Sequence, residues 1–235
     1  MAKEVIFRRA PGLGVIGMVG ALAGCTPSLS SIAPVGFEPA DREVVAEWVA
    51  ELRPTHARLY EIRPWRYRTE RGAAAGRASI RIVPPDSLRF DYRGPFGKSG
   101  NAALVGDSAL WVSEGDDFEG LISYAPLLWT ALGLPPVPPD TVDLFSLTGD
   151  DLRAWRYILA GDTLDVILRG SPVRRLMAEM RRGGQVLGQA TVQVDTLTGL
   201  ATQSVINFWD ISRFEFTVES VDTLAVFDGT IWVRQ

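Results

Sequence analysis

Few side chains in this sequence have the types and spacing that chemistry on a substrate requires. The 235 residues include one histidine, His56, and one cysteine, Cys25. A single histidine argues against a histidine-based metal centre and leaves only one candidate base for nucleophilic catalysis. No Gly-x-Ser-x-Gly elbow accompanies it, and no phosphate loop or dinucleotide fingerprint occurs. We therefore expect His56 to lie at the surface or to cap a helix, and we expect neither a catalytic residue nor a bound metal.

One acidic cluster is the remaining candidate for chemistry. Four carboxylates lie close together at Glu114, Asp116, Asp117 and Glu119. Carboxylate oxygens bind calcium, and a pair of carboxylates can supply the acid and base of a glycosidase. The spacing does not match an EF-hand loop, so the pattern favours a solvated turn between a strand and a helix. A hydrolase that uses this cluster stays open as a third hypothesis.

The charge and composition of the chain limit its partners. The formal net charge is -4, which argues against a general nucleic-acid partner. Apolar residues make up 46% of the chain and charged residues 22%, as in an ordinary folded domain. Basic side chains nevertheless occur in two local clusters, and such clusters could meet lipid headgroups or lie on the solvated face of a strand. The clusters are Arg63, Arg66, Arg68 and Arg71, and Arg174, Arg175, Arg181 and Arg182.

The first 24 residues have the pattern of a secretory signal peptide. Lys3, Arg8 and Arg9 form a positive start, and an apolar stretch follows over 12–24. This stretch is shorter than the roughly 20 residues that a membrane-spanning helix needs. The pattern of these residues thus predicts that the protein is exported, and it does not predict a membrane-spanning segment.

The end of this stretch indicates a lipid anchor. Leu22-Ala23-Gly24-Cys25 resembles a bacterial lipobox, in which the cysteine is acylated, for example with palmitate, after the signal is removed. We predict a signal peptide at 1–24 and a lipidated Cys25, with an ordinary signal peptide as the alternative. No cofactor is expected besides this covalent lipid. Thr26 replaces the aspartate that often retains lipoproteins in the inner membrane, so we expect an outer-membrane anchor that faces the periplasm.

The composition after Cys25 divides the mature chain into a tether and one domain. Residues 25–40 are rich in Pro and Ser and predict a flexible tether. Asp41 can cap an amphipathic helix over 42–53, and residues 121–133 and 140–147 are predicted to be helical. From about Arg66 the apolar residues alternate with period two, which is typical of antiparallel strands. We predict a mainly β domain over 41–235, with a curved sheet wrapped around a few helices.

A resemblance to a known family sharpens this prediction. The sequences that carry it are Arg71-Gly72, residues 76–82, residues 87–97 and the hairpin at 100–112. In this order, after a lipobox and an amphipathic helix, they resemble the LolB/LolA superfamily of lipoprotein carriers and receptors. The resemblance implies an unclosed antiparallel half-barrel with helices on its concave face, which binds the acyl chains of lipoproteins. It also implies that LolB-type members receive cargo from a soluble carrier, and that Phe96, between Pro95 and Gly97, matches an apolar residue that helps deliver cargo to the membrane.

The sequence therefore favours a non-enzymatic, membrane-anchored envelope lipoprotein that binds acyl chains in lipoprotein or lipid transport. Its predicted partners are acyl chains, the membrane, and a soluble carrier protein, but no nucleic acid. The alternative is an interaction or stress-sensing module on the same fold, with a cavity filled by its own side chains. Tryptophan and leucine side chains are the expected lining of a lipid cavity, with Trp129 preferred. The candidate lipid-binding residues are Phe96, Trp111, Leu127, Leu128, Trp129 and Leu132.

Overall fold

Thirteen antiparallel strands form one curved sheet in a computed structural model of the chain. The structure describes residues 36–113, 117–170, 173–210, 212–223 and 225–233. The strands are β1 (Glu38–Pro39), β2 (Arg58–Thr69), β3 (Gly72–Val83), β4 (Ser87–Arg93), β5 (Ser99–Val105), β6 (Ser108–Val112), β7 (Leu144–Gly149), β8 (Leu152–Leu159), β9 (Asp162–Arg169), β10 (Arg175–Arg182), β11 (Gln185–Val194), β12 (Ala201–Phe208) and β13 (Arg213–Asp222). The helices are α1 (Arg42–Ala50) and α2 (Ala125–Ala131).

The sheet consists of two meanders that are joined at one seam. Its order is β1-β7-β8-β9-β10-β11-β12-β13-β2-β3-β4-β5-β6. Strands β2–β6 and β7–β13 each follow the chain in order, and the pairing of β13 with β2 joins them. Because β1 and β6 are not paired with each other, the barrel stays open. The predicted antiparallel, unclosed architecture is confirmed.

The two faces of the sheet differ in polarity because successive side chains point to opposite faces. In β4, Leu88 and Phe90 belong to the apolar core on the concave face, whereas Arg89 and Asp91 form ion pairs on the outer face. The other strands continue this core with side chains such as Tyr60, Ile80, Val166, Val192 and Ile206. The alternation of apolar and polar residues in the sequence thus reflects the concave and outer faces of the sheet.

Helix α1 begins where the sequence predicts. The Asp41 side chain accepts a hydrogen bond from the Glu43 amide (2.9 Å) and caps the helix. Trp48 of α1 lies on Trp155 of β8, with ring centroids 6.3 Å apart. Arg42 donates to the carbonyl oxygens of Pro139 and Val142 at 2.8 and 2.7 Å, so α1 also holds the loop before β7.

Helix α2 lies inside the concave face. A 3-10 helix over Asp117–Tyr124 leads into it, and Pro126 lies in its first turn. Proline is favoured there because the first helical amides need no intrahelical partner. Pro126 is therefore compatible with the start of the helix. The helix packs mainly against β10, β11 and β12.

Two local expectations differ from the structure. The predicted helix at 140–147 is wrong, because Leu144–Gly149 forms strand β7. Backbone pairing with β8 on one side and β1 on the other satisfies this segment, which is too short for a stable helix. The last residues of the predicted tether are also ordered, since β1 pairs with β7 and the Phe37 ring lies against Arg156 at 4.4 Å.

Neither helix in the described part of the chain has the length and apolar character needed to cross a membrane.

Candidate functional site

The centre of the concave face is filled by α2. Leu127, Trp129 and Leu132 are buried against the strands, and Leu128 is half-buried beside them. The Trp129 indole Nε1 donates to the carbonyl oxygen of Gly106 (2.6 Å), which satisfies its polar atom within the core. A void of only about 30 Å³ remains between this helix and the sheet, with Leu128, Trp129 and Leu132 among its lining residues. These residues therefore form packed core rather than an open cavity.

Helix α2 approaches the sheet closely at a glycine. A Cβ atom at Gly188 would lie 2.8 Å from Leu127 Cδ1 and 3.1 Å from the carbonyl oxygen of Asn207. Both distances are shorter than ordinary van der Waals contact. The missing side chain at Gly188 thus sets how deeply α2 lies in the concave face.

An apolar pocket remains open at one side of the filled centre. Its volume is about 340 Å³, at the low end of the roughly 300–1,000 Å³ of small-molecule sites. Trp65 and Tyr92 meet edge to face in its wall with centroids 5.7 Å apart, and Trp65 lies 6.5 Å from Phe214. Its lining comprises Trp65, Tyr67, Ala73, Ala74, Phe90, Tyr92, Gly94, Pro95, Phe96, Lys98, Leu121 and Phe214. Such a wall offers dispersion contacts and few hydrogen bonds.

The turn between β4 and β5 places Phe96 at the rim of this pocket. The Gly94 amide donates to the Lys98 carbonyl (2.8 Å), and the Lys98 amide donates to the Pro95 carbonyl (3.2 Å). Phe96 has φ 57° and ψ 29°, the left-handed region that glycine normally occupies. Its side chain is fully exposed. The turn therefore presents a large apolar ring to solvent beside an apolar pocket.

A close backbone approach holds this turn over the mouth of the pocket. A Cβ atom at Gly76 would lie 1.9 Å from the Arg93 carbonyl oxygen and 2.9 Å from Trp65 Cζ2. Only glycine leaves room for this crossing. The Trp65 indole Nε1 donates to the Arg77 carbonyl (3.0 Å), which fixes the ring beneath Gly94.

A second pocket of about 360 Å³ lies at Trp129, and the charged residues Arg53, Asp86 and Asp107 are among those that line it. The Arg53 guanidinium lies 6.0 Å from the Trp129 ring and donates to the Pro135 carbonyl (3.1 Å). Burial lowers the pKa of Arg53, and the nearby Asp86 carboxylate partly offsets this. Burial, with a smaller contribution from the Asp107 charge, raises the pKa of Tyr157 in the same wall. The Arg53 guanidinium is thus already engaged with backbone carbonyl groups of the protein.

The structure separates Trp111 from the other candidate residues. Trp111 pairs with Ala103 in the register of β5 and β6 and so lies on the outer face. Its indole Nε1 donates to the Trp232 carbonyl (2.8 Å), and Arg89 lies 5.4 Å from its ring. Trp111 therefore cannot line the concave pocket. The expectation failed because a bulge between Ala103 and Leu104 shifts the alternation at this edge.

The remaining candidates have the following places. His56 is exposed and shares a hydrogen bond with the Thr55 hydroxyl (2.9 Å). Cys25 lies outside the described residues, as do Glu114 and Asp116 of the acidic cluster. No cluster of potential metal ligands occurs among the residues that the structure describes.

Several pocket residues were missed by the sequence analysis. Trp65, Tyr92 and Phe214 form the aromatic wall, yet only Phe96 of the predicted set lies at this pocket. Their inward positions follow from the period-two pattern of β2, β4 and β13. What the pattern alone does not show is the pairing of β13 with β2, which brings Phe214 beside Trp65 and Tyr67.

Solved structures of other proteins are similar to this chain in fold. A LolA superfamily protein from Nitrosomonas europaea superposes with a TM-score of 0.57 at 10% identity, over 83% of this chain and 98% of that chain. The fold is LolA-like. A putative outer membrane lipoprotein-sorting protein domain from Vibrio parahaemolyticus gives 0.48 at 9% identity, over 82% and 97%. The Pseudomonas aeruginosa MucA/MucB complex gives 0.35 at 13%, over 83% and 62%. The sequence matches no protein-family model and no curated protein.

Within this LolA-like fold, the described residues combine a packed concave centre with an apolar pocket at the Phe96 turn. The wall of this pocket is aromatic and aliphatic, so it offers an apolar group shape complementarity and dispersion contacts. Among the residues lining it, Lys98 is the one with a charged side chain. The lining is therefore suited to contact with an apolar ligand.

Proposed function

We propose that this chain is a lipid-anchored envelope lipoprotein that binds acyl chains and acts in the reception or transport of lipoproteins or lipids to the outer membrane. The anchor would be the predicted acylated Cys25, and no catalytic step is involved. The LolA-like fold supports a carrier or binding role in the bacterial envelope. The observation that carries the proposal is the exposed Phe96 ring beside the apolar pocket.

The conformation of Phe96 supports a selected role for this side chain. A non-glycine residue in the left-handed region costs roughly 1 kcal/mol or more. Its exposed ring gains nothing from burial in the folded chain. Backbone strain at Phe96 that no contact within the fold offsets indicates a functional role. An apolar partner, such as an acyl chain that enters or leaves the pocket, would supply the missing contact.

The pocket volume limits the cargo. About 340 Å³ suits a single chain-like ligand rather than several chains at once. Each buried methylene contributes about 0.8 kcal/mol, so one chain of ordinary length already binds measurably. A larger cargo would require α2 to move out of the concave face.

A pocket-filling substitution tests the proposal. Ala74 lines the pocket on the concave face, and its neighbour Ala75 lies on the outer face. Ala74→Phe should fill the pocket and weaken binding of a fluorescent diacylated lipopeptide at least tenfold, because the chain loses its space. Ala75→Phe adds the same side chain outside and should bind like the parent protein. Equal lipopeptide binding by both variants would contradict the assignment of the apolar pocket as the binding site.

A second experiment asks what the chain carries. Protein purified from a bacterial envelope would be analysed by native mass spectrometry with lipid extraction. Co-purifying lipid or acylated peptide supports an acyl-chain carrier. A mass that stays free of ligand, even after lipid is added, rejects it.

A second candidate is an interaction module that works without lipid cargo. The filled concave centre, with a void of about 30 Å³, favours this reading. If the chain is such an interaction module, Ala74→Phe should still bind the partner protein. The parent protein should then bind no lipopeptide. Capture of one defined envelope protein by the ligand-free chain, resistant to excess lipopeptide, would select this function.

A further inference from the structure

The outer face of the sheet carries a basic depression beside the Phe96 turn. It has a volume of about 800 Å³ and includes four exposed cationic side chains. We call these the basic edge: Arg63, Arg77, Arg93 and Lys98. No acidic residue occurs among the described residues that line it, although the whole chain has a net charge of -4. The basic edge is therefore a local reversal of the overall charge.

The register of β3 and β4 places two of these charges directly opposite each other. Arg77 and Arg93 are cross-strand partners. Like charges in directly opposite positions destabilise a sheet. Among the described residues, no carboxylate forms an ion pair with either arginine. Glu61 and Asp91 line a neighbouring depression together with both arginines, but neither carboxylate forms an ion pair with them.

A neighbouring arginine pair shows how the fold compensates such a repulsion. Arg81 and Arg89 are also cross-strand partners on the same face. Asp91 lies between them and accepts hydrogen bonds from Arg81 Nη1 (2.5 Å) and Arg89 Nη2 (2.9 Å). Asp91 has no such contact with Arg77 or Arg93. Arg77 and Arg93 therefore have free donors for an anion from outside the chain, where Arg81 and Arg89 already hold Asp91.

The location of the basic edge indicates which anion would bind Arg77 and Arg93. Strand β4 ends at Arg93 and leads directly into the Phe96 turn, which Lys98 closes. The inner side of the turn borders the apolar pocket, and the outer side borders the basic depression. An apolar tip flanked by cations matches the interfacial region of a bilayer, where acyl chains lie beneath charged phosphates.

We propose that this edge of the sheet docks on an anionic phospholipid surface. The basic edge binds headgroup phosphates, and the Phe96 ring enters the boundary of the acyl chains. This inference rests on the proposed function in one respect, since docking here would place the mouth of the apolar pocket against the membrane that receives the cargo. The membrane contact itself needs no cargo.

Vesicle co-sedimentation tests the docking. The full chain with Cys25→Ser, which has no site for an anchor, would be mixed with vesicles of phosphatidylcholine alone or with added phosphatidylglycerol. We expect binding to rise with phosphatidylglycerol and to fall with salt. Arg77→Gln/Arg93→Gln should lower partitioning onto the anionic vesicles on the order of 25-fold, because each basic residue contributes about fivefold.

A matched pair of arginines provides the control. Arg169 and Arg175 are also exposed cross-strand partners, in β9 and β10, and no described acidic residue pairs with them. They lie away from Phe96 and line neither the basic depression nor the apolar pocket. Arg169→Gln/Arg175→Gln removes the same charge and should retain most of the binding. An equal loss in both double variants would overturn the proposal, since only net charge would then matter.

Two further readouts separate other ligands and other failures. If inorganic phosphate alone raises the Tm of the parent protein but not of Arg77→Gln/Arg93→Gln, while neither protein prefers anionic vesicles, the site binds free phosphate and the docking is rejected. If the double variant keeps vesicle binding but no longer receives cargo from an acidic carrier protein, the edge is a protein interface instead.

Arg77→Gln/Arg93→Gln should still bind the lipopeptide normally. Loss of lipopeptide binding in all proteins, with intact vesicle binding in the parent, would reject the proposed cargo and leave the docking standing.

Discussion

Phe96 and Gly76 act on the same turn in opposite ways. Gly76 lacks a side chain so that the Arg93 carbonyl can cross above it. Phe96 keeps a large side chain where glycine would be the easier choice. Packing explains the glycine, whereas nothing in the described fold covers the phenylalanine. The contrast separates a residue that packing requires from one that contacts a partner under the proposed function.

Replacing Phe96 should affect function and leave stability nearly unchanged. Phe96→Gly relieves the left-handed strain but adds unfolded-state entropy, so the free energy of unfolding should stay within about 1 kcal/mol of the parent value. Delivery of bound lipopeptide to vesicles should fall at least tenfold. Urea denaturation and a fluorescence transfer assay measure the two effects.

The control for this prediction is Leu197→Gly, because Leu197 is almost fully exposed in the turn after β11. It should change neither delivery nor stability by much. A large loss of stability in Phe96→Gly would contradict a purely functional role.

Helix α2 determines how much of the concave face is open. Its packing depends on the close contact of Leu127 with Gly188, where no Cβ atom is tolerated without movement. Pro126 fixes where the helix starts. The depth of one short helix thus decides between a filled centre and a cavity.

A methyl group at Gly188 should push α2 outwards. Gly188→Ala is expected to destabilise the fold by about 1–3 kcal/mol because the neighbouring Asn207 carbonyl belongs to the backbone and cannot easily move. Combining it with Leu127→Ala should cost less than the sum of the two single changes, since the shortened side chain makes room. Denaturant unfolding of the four proteins gives the coupling energy.

Gly120→Ala is the matched control, because a Cβ atom at Gly120 meets nothing within 4 Å. Strict additivity of Gly188→Ala and Leu127→Ala would show that the helix is not held by this contact.

The sequence predicts the elements better than their arrangement. Helix α1, with its Asp41 cap, and the alternating strands follow from local patterns. Strand β7 was missed because a short apolar segment satisfies either structure until its partners are known. Trp111, a lipid-binding candidate in the sequence, lies on the outer face because a bulge near the sheet edge changes the alternation. The aromatic wall needed the β13–β2 pairing, which no local pattern contains.

At the scale of the whole molecule, two charged groups buried on the outer face hold neighbouring strands in register. Asp165 of β9 is fully buried and pairs with Arg156 of β8 at 2.5 Å and with Arg181 of β10. The hydrogen bond to Asp165 raises the pKa of Arg156. Gln189 of β11 donates to the buried Glu179 of β10 at 2.6 Å. Four strands are thus connected by one polar network.

Removing the charge of Asp165 should weaken the whole sheet. Asp165→Asn leaves the Arg156 guanidinium without its carboxylate and leaves Arg181 with Glu179 alone, and it should lower the free energy of unfolding by about 3 kcal/mol. Asp162→Asn in the same strand breaks the more exposed pair with Arg182 and should cost less than about 1 kcal/mol. Thermal and urea unfolding compare them, and equal losses would argue against a buried network.

Acid should loosen the segment that follows β13. The Asp228 carboxylate accepts a hydrogen bond from the Thr230 amide (2.8 Å), which lowers its pKa below the ordinary 3.8. A lowered folded-state pKa adds stability that is complete above the unfolded-state value and is lost as the pH falls through the folded-state value. The stability difference between the parent and Asp228→Ser, whose hydroxyl caps without titrating, should stay constant above about pH 4 and change only below it. A change near neutral pH would contradict this assignment.

The seam between the two meanders also sets the order in which the chain can fold. Strand β2 appears early during synthesis, but its partner β13 lies near the other end of the chain. Until β13 is made, the first meander has an unpaired edge that carries Leu59, Tyr60 and Ile62, and such edges promote aggregation. Pairings so distant in sequence form slowly. A nascent chain of this topology therefore spends its most vulnerable period with β2 uncovered, when a holding chaperone would have most effect on its yield.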